Sequence, residues 1–196
     1  MAPSIVASMR GETRSERLLR SAAVEPIRSA RLDLVSLDVR SIEMILGDRM
    51  EDAELRLGMQ LPPDLGRQAE GLLLVRLADL RSVPKAQAWL LRLVALRLPV
   101  ARMIGFIGFH GPPNGKGEVE IGYEITPSER RRGYATEASS AMFEWATRQP
   151  GVNAFLASVS PTNTASLAVV AKLGFRPNDP SHEPLDGEEL VFRRDR

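Results

Sequence analysis

The sequence predicts one α/β domain in which strands and helices alternate around a largely antiparallel sheet. Its 196 residues, 43% of them hydrophobic and 26% charged, suffice to bury a core without metals or disulfides. Short runs of β-favouring residues alternate with segments of helical spacing. We find no internal repeat and no low-complexity tract. We assign this single domain to residues 29–196.

Residues 1–28 precede the predicted domain and differ from it in character. They are polar, rich in arginine and without clear periodicity, apart from a short helical pattern at residues 15–23. Because such a segment offers little apolar surface to bury, we predict an extension that is either disordered or packed on the surface.

The first strand of the domain and two helices are predicted before a proline pair. Residues 31–37 alternate between apolar and polar types, and Asp38 can cap a helix that ends near Leu46. A second short helix is predicted over residues 49–57, and Pro62-Pro63 then interrupts the chain.

The middle of the chain contains one predicted helix and one ambiguous segment. Helical spacing covers residues 65–80 and stops before Pro84. Residues 89–97 are almost continuously apolar, which fits both a strand and a buried helix, whereas residues 102–110 favour a strand.

The second half of the chain alternates between strand and helix more clearly. Turn residues fill positions 111–117, while Asn163 and Gly174 provide an N-cap and a left-handed C-cap for one helix. The predicted elements are a strand at 118–126, a helix at 135–148, a strand at 154–160, a helix at 163–173, and a last strand at 188–194 after a loop at 177–187.

Composition excludes several functional classes. The formal net charge is +1, since 26 basic residues oppose 25 acidic ones, so no global excess of charge indicates nucleic acid or a membrane surface. The absence of cysteine excludes disulfides, thiolate metal sites and a cysteine nucleophile. No apolar run is long enough to span a bilayer and no signal peptide is apparent, so we predict a cytoplasmic protein.

The most informative stretch is the basic turn between a predicted strand and the helix that follows it. Its pattern is Arg130-x-x-Gly133-x-Ala135. A helix start presents unpaired N–H groups and a positive dipole end, and Gly133 allows a ligand to approach the backbone closely. Arg131 and Arg132 complete a run of forked donors that suit phosphate oxygens. The pattern predicts a phosphate site; a solvated basic turn capping an ordinary helix is the alternative.

This turn resembles the acetyl-coenzyme A signature of the GNAT N-acetyltransferase superfamily, Gln/Arg-x-x-Gly-x-Gly/Ala, whose backbone amides hold the coenzyme pyrophosphate. The resemblance covers residues 31–194. A second stretch, Asn163 to Ser166 with Lys172-Leu173-Gly174-Phe175, is similar to the superfamily's Asn-x-x-Ser and Lys-Leu-Gly-Phe segment. A third, Gly108-Phe109-His110-Gly111 with Glu118-Val119-Glu120-Ile121-Gly122-Tyr123, resembles the superfamily branch that contains the ribosomal-protein N-terminal alanine/serine acetyltransferases.

The resemblance implies a GNAT-type acyl-CoA N-acyltransferase fold, in which helices flank a twisted, mostly antiparallel sheet and two strands splay apart around the pantetheine arm. It implies acetyl-CoA as co-substrate, a primary amine as acceptor, no metal, and a monomer or homodimer. It also favours pairing residues 89–97 with 102–110 in a hairpin. The residues implied to bind the coenzyme are Ile125, Thr126, Arg130, Arg131, Arg132, Gly133, Tyr134, Ala135, Thr136, Asn163 and Ser166.

Acetyl transfer to an amine requires a group that removes a proton, since an α-amino group has a pKa near 8 and a lysine near 10.4. By the resemblance, Glu120 occupies the position of a general base in some members; a surface carboxylate without a catalytic role is its alternative. Glu124 and His110 are further candidates for this base. We expect Tyr123 on the opposite strand face, packed in the core.

Stabilisation of the carbonyl oxygen and protonation of the leaving thiolate are the remaining requirements. Backbone amides around residues 124–126 are candidates for the first. By resemblance, Ser166 contacts the coenzyme or protonates the thiolate. Many members carry a tyrosine a few residues later as the acid, but this chain has Leu167-Ala168-Val169-Val170 there, so serine, water and direct release of the thiolate remain open.

Three functions are consistent with these residues. The first is an N-acetyltransferase whose acceptor is a protein N-terminus or a small-molecule amine. The second is an acyl-CoA-binding module without catalysis, which the missing tyrosine supports. The third, nucleic-acid binding through the arginine run, conflicts with the balanced net charge.

Overall fold

The computed structural model describes residues 24–179 and 188–196, and within them one sheet of eight strands runs through the domain. Its spatial order is β1-β2-β3-β4-β5-β6-β8-β7. In chain order the strands are β1 Ile27–Arg28, β2 Leu32–Ser36, β3 Arg92–Leu96, β4 Arg102–Phe109, β5 Glu118–Ile125, β6 Ala154–Val159, β7 Arg176–Pro177 and β8 Leu190–Asp195.

Six α-helices lie in the described residues, four of them between β2 and β3. They are α1 Val39–Leu46, α2 Met50–Leu57, α3 Leu65–Gln68, α4 Glu70–Ser82, α5 Tyr134–Thr147 and α6 Thr164–Lys172. Two short 3₁₀ turns, Pro84–Ala88 and Pro127–Glu129, precede β3 and α5.

Two apolar cores pack on opposite faces of the sheet. One lies between the sheet and α5, and it contains a cluster of aromatic rings around Phe143 and Phe155, whose centroids are 4.3 Å apart. The other lies between the sheet and helices α1 to α4. Because β3 is covered on both faces, its residues are apolar almost without interruption, which explains why residues 89–97 were ambiguous between strand and buried helix.

Local capping signals were reliable. Asp38 accepts a hydrogen bond from Ser41 N at 2.8 Å at the start of α1, and Asn163 accepts from Ser166 N at 3.1 Å at the start of α6. Gly174 follows α6 with φ of 79°, in the left-handed region that favours glycine. The predicted hairpin of β3 with β4 and the strands β2, β5, β6 and β8 are confirmed.

Three features differ from the sequence prediction. The helix predicted at 65–80 is two helices that meet at Ala69 (φ −109°, ψ 13°). The short α3 packs tightly on α1, since a Cβ added to Gly66 would lie 2.6 Å from the carbonyl oxygen of Ile45. The two-residue strands β1 and β7 were not predicted, and β1 pairs residues that we had placed in the N-terminal extension. The helical pattern at 15–23 lies outside the described residues.

The sheet divides between β5 and β6. These are its two parallel neighbours, and they pair only from Glu118 to Glu120 with Ala154 to Leu156, although β5 continues to Ile125. Every other pairing between strands in the described residues is antiparallel. The mostly antiparallel sheet with splayed central strands is therefore confirmed. No helix in the described part of the chain has the length and apolar character to cross a membrane.

Candidate active site

A large cavity of about 1040 Å³ opens where β5 separates from β6. The end of β5, the basic turn, the first turn of α5 and the first half of α6 surround it. Its lining residues are Tyr123, Glu124, Ile125, Pro127, Glu129, Arg130, Arg131, Gly133, Tyr134, Ala135, Thr136, Asn163, Thr164, Ala165, Ser166, Ala168, Val169 and Lys172. Nine of the eleven residues predicted to bind the coenzyme are among them.

The basic turn places backbone N–H groups at one end of this cavity. Arg131 and Gly133 both have left-handed backbones, with φ of 64° and 81°. No described side chain caps α5, so the N–H groups at its start have no partner within the helix. A non-glycine residue held at positive φ beside a helix start is a strained arrangement that is frequently associated with ligand binding. The turn can hold an anion.

The three arginines of the turn have different surroundings. Arg130 and Arg131 line the cavity, and Arg130 Nε also donates to the carbonyl of Ile125 at 2.9 Å. Arg132 does not line it. Its Nη1 lies 3.3 Å from the buried carboxylate of Glu129, which also accepts a hydrogen bond from Arg102 at 2.9 Å. Consecutive side chains cannot all point to one side, so the charge of Arg132 supports the turn from outside.

The end of β5 directs alternate backbone groups into the gap. Thr126, which follows β5, donates its N–H to Ile104 O on β4 at 2.9 Å and does not line the cavity. The backbone N–H and C=O groups of the even-numbered residues of β5 also point to β4, and those of the odd-numbered residues point to the gap. The N–H groups available on that side are those of Tyr123 and Ile125, which refines the predicted position of the carbonyl-stabilising amides.

A contact from the N-terminal side of the domain holds the basic turn. Glu137, in the first turn of α5, accepts hydrogen bonds from Ser29 Oγ at 2.7 Å, Arg31 N at 2.8 Å and Arg31 Nε at 2.7 Å. Arg31 also donates to the carbonyl of Arg132 at 3.1 Å and lies 4.4 Å from the ring centroid of Tyr134. We call this group of Ser29, Arg31 and Glu137 the turn clamp.

Tyr123 packs against the core, as expected, and it also forms part of the cavity wall. Its Oη is buried and has no hydrogen-bond partner among the described residues. Burial raises the pKa of Tyr123, an effect that the nearby Ser166 hydroxyl opposes without making a hydrogen bond of normal geometry. The phenol therefore keeps its proton at neutral pH.

Glu120 is the last residue of β5 that pairs with β6, and the two strands separate beyond it. Ser158 Oγ donates to its Oε1 at 2.6 Å, and His110 Nδ1 lies 3.4 Å from its Oε2. The bond with His110 lowers the pKa of Glu120, partial burial opposes this, and Ser158 adds to the lowering. Glu120 is therefore ionised at neutral pH and lines neither described cavity, whereas His110 lines the second one.

This second cavity has a volume of about 200 Å³ and lies between α4 and the β4–β5 ladder. Its lining residues are Leu72, Arg76, Leu91, Phe106, Gly108, Phe109, His110, Gly122, Tyr123 and Glu124. Because Tyr123 and Glu124 line both cavities, the two meet at the C-terminal end of β5.

The family described as "Acetyltransferase (GNAT) domain" matches residues 50–176 of the chain. The chain belongs to the GNAT acetyltransferase family. A curated relative, the uncharacterized N-acetyltransferase YjdG of Bacillus subtilis, is 36% identical over 81 residues, which are 41% of this chain and 48% of that protein. The chain thus spans about half the length of the curated relatives it matches.

Solved structures of this GNAT member's relatives share its fold. An acetyltransferase from Agrobacterium tumefaciens is 26% identical, with a TM-score of 0.58 over 88% of this chain and 95% of the other. RimL, a ribosomal L7/L12 α-N-protein acetyltransferase solved with coenzyme A, is 18% identical, with a TM-score of 0.57 over 87% and 98% of the two chains. At that identity the likeness to RimL shows the fold alone.

Sequence reasoning missed Tyr123 as a cavity residue, and it did not identify Arg76, Ser158 or the turn clamp. Strand alternation assigns Tyr123 to one face, but it cannot show that the neighbouring strand leaves that part of β5. Arg76 occurs in a helical pattern where a charged residue is ordinary. These residues become informative only when the topology brings them together.

Proposed function

We propose that this protein transfers an acetyl group from acetyl-CoA to a primary amine, which attacks the thioester directly in a ternary complex. One observation carries the proposal. A large cavity with an anion-binding end meets a small cavity at Tyr123 and Glu124, beside a His110–Glu120 pair. Two substrates can thus approach each other from opposite sides of β5.

The large cavity suits the coenzyme. Its pyrophosphate would accept hydrogen bonds from the N–H groups at the start of α5, with Arg130 and Arg131 supplying charge. The pantetheine arm would lie in the gap between β5 and β6, beside Asn163 and Ser166. The site fits a phosphate ligand, because the space beside Gly133 is open: a Cβ added there would have only Arg31 Nη2 within 4 Å, at 3.6 Å.

The reaction forms one bond and breaks another. The amine nitrogen attacks the thioester carbonyl carbon, the C–S bond breaks, the amine loses a proton, and the coenzyme leaves as a thiol after gaining one. Negative charge that develops on the carbonyl oxygen would be stabilised by the N–H groups of Tyr123 and Ile125.

His110 and Glu120 are the residues that we assign to removal of the amine proton. His110 lines the small cavity, and Glu120, ionised and held by Ser158, would stabilise the imidazole once it has accepted the proton. Glu120 acting directly as the base is the competing assignment.

Protonation of the departing thiolate can come from Ser166 or Tyr123, since both hydroxyls line the large cavity. Many family members have a tyrosine in the helix that corresponds to α6, and Tyr123 would take over its role as the acid. This possibility weakens the case for a binding module without catalysis. The acceptor that we propose is a protein N-terminus or a small-molecule amine.

Release of free thiol tests the transfer reaction directly. The chain contains no cysteine, so a chromogenic disulfide reagent reports coenzyme A without background from the protein. We expect thiol release that depends on both acetyl-CoA and an amine, together with stabilisation by acetyl-CoA of about 2.7 kcal/mol at 100 times its Kd, or roughly 5 to 11 °C in Tm. Stabilisation without thiol release for any amine would support a binding module instead. Absence of both would contradict the coenzyme site.

A further inference from the structure

The wall of the small cavity contains a partly buried cation that acetyl transfer itself does not require. Arg76 extends from α4 into the cavity wall, and its side chain is only 14% exposed. Its Nη1 donates to Asp79 Oδ2 at 2.8 Å, one turn along the same helix. Its Nε is buried and has no hydrogen-bond partner among the described residues.

A guanidinium that lines a cavity and has Asp79 as its side-chain partner keeps donors with which it can bind a further group there. The partner must offer an oxygen, because a guanidinium has donors only. It must also be small or enter by one end, since about 200 Å³ is below the roughly 300–1,000 Å³ of pockets for drug-sized ligands.

The charges around the cavity restrict the acceptor further. Glu124 lies exposed at the junction of the two cavities, where it can attract an ammonium group before that group loses its proton. Arg76 is paired with Asp79, but its guanidinium lines the cavity and would repel a second positive charge placed beside it. We therefore expect an acceptor with a second positive charge to react less well than one with an oxygen at that place.

We propose that Arg76 is a specificity-determining residue that binds the carbonyl or carboxylate oxygen adjacent to an acceptor's α-amino group. This proposal rests on the acetyl transfer proposed above and specifies its acceptor class. Free α-amino acids and peptide N-termini share the required chemistry. In both, the oxygen lies on the carbon next to the one that bears the amine, and a group this short fits a cavity of about 200 Å³ that Arg76, His110 and Glu124 all line.

The test compares four amines with the full-length protein: alanine, alanine amide, ethylamine and putrescine. Ethylamine lacks the oxygen, putrescine adds a positive charge, and alanine and alanine amide distinguish a carboxylate from a peptide carbonyl. With kcat/KM expressed per concentration of unprotonated amine, we expect the value for alanine or alanine amide to exceed that for ethylamine and putrescine by at least about tenfold, the usual effect of one hydrogen bond to a charged group.

The variant Arg76→Gln should abolish this preference, because it should lower kcat/KM for the oxygen-bearing amines much more than kcat/KM for ethylamine. A merely structural role of Arg76 would lower all rates together and would leave their ratio unchanged. Arg81→Gln is the matched control, because Arg81 lies on the same helix, is exposed, and pairs with Glu43 outside the cavity.

The outcomes separate the two proposals. Acetylation of all four amines without preference, or a ratio that Arg76→Gln does not change, overturns the role of Arg76 and leaves acetyl transfer intact. Stabilisation by acetyl-CoA without acetylation of any amine overturns both. If Arg76→Gln is unstable, Arg76→Lys serves instead: it keeps the charge but loses the forked donors, and the preference should fall by a smaller factor.

Discussion

At the scale of single residues, we expect coenzyme binding to be most sensitive to changes in the left-handed turn before α5. Gly133→Val should raise the Kd for acetyl-CoA at least about tenfold, because a β-branched residue at φ of 81° is strained by about 1–3 kcal/mol and crowds the anion site. Isothermal titration of acetyl-CoA measures the effect. Gly151→Val is the control, since Gly151 has φ of 83° and lies outside the cavity, so the Kd should stay unchanged while Tm falls similarly.

Glu120 provides a second prediction at this scale, and it concerns pH. The lowered pKa of Glu120 keeps its carboxylate charged at neutral pH, 3.4 Å from His110 Nδ1. Glu120→Gln removes that charge, so we expect kcat to fall and the shape of its pH profile to change. The full profile of kcat from pH 5 to pH 9 tests this.

A profile of unchanged shape would contradict a role of Glu120 in proton removal, both as the base and as the partner of His110. Glu118→Gln serves as the control, because Glu118 is on the same strand but pairs with Arg193 away from both cavities.

Residues with a local signal could be predicted from the sequence. Asn163 and Gly133 belong to a cap and to a turn, and both features are formed within a few residues of chain. The contacts of His110, Ser158 and Tyr123 depend on how two strands distant in sequence separate, and no local pattern encodes that.

At the scale of elements, the turn clamp connects the β1–β2 turn to α5. Burial works to raise the pKa of Glu137, but hydrogen bonds from Ser29 and Arg31 outweigh it, and the net pKa is lowered. A lowered pKa in the folded state stabilises the fold above the pKa of an unfolded glutamate, about 4.3, and this contribution is lost as pH falls through the folded value.

We therefore expect Glu137→Gln to destabilise the protein at pH 7 by about 1–2 kcal/mol and to weaken acetyl-CoA binding, although Glu137 does not line the cavity. The difference in Tm between variant and wild type should shrink below about pH 4. Thermal unfolding from pH 3 to pH 7 measures it. Glu144→Gln on the exposed side of α5 is the control, and an equal pH dependence there would contradict the role of the turn clamp.

Elements with their own caps and periodicity were predictable, and elements that exist only through pairing were not. Strand β1 has two residues and forms because β2 lies beside it, and the break at Ala69 falls on a residue that favours helices. Such features follow from tertiary contacts.

At the scale of the whole molecule, one buried arginine connects several parts of the fold. Arg92, on β3, is fully buried and donates to the carbonyls of Glu25, Leu34 and Ala88 at 3.0–3.2 Å. Its guanidinium lies 5.5 Å from the ring centroid of Trp145 on α5. Burial lowers the pKa of Arg92 to about 10, so it remains charged at neutral pH.

Replacement of Arg92 by alanine creates a cavity, and it removes the side chain that donates hydrogen bonds to three carbonyl groups. Arg92→Ala should therefore lower the free energy of unfolding by about 2–4 kcal/mol, measured by urea titration. Arg148→Ala, which removes an exposed pair with Glu144, should cost less than about 1 kcal/mol. Equal losses in the two variants would contradict a central role for Arg92.

The fold as a whole was predicted from the resemblance more than from periodicity. Alternating patterns indicate strands, but the order of eight strands and the place where the sheet divides depend on long-range packing. The basic turn indicated the family because the spacing of Arg130, Gly133 and Ala135 resembles the family's signature.

The short junction between β5 and β6 has a consequence for kinetics. Only three residue pairs join the two halves of the sheet there, whereas β6 and β8 share six. Local opening should therefore begin at this junction, which borders the proposed pantetheine channel. We expect the spent coenzyme to leave when the halves move apart, so that the turnover rate is limited by the frequency of this motion.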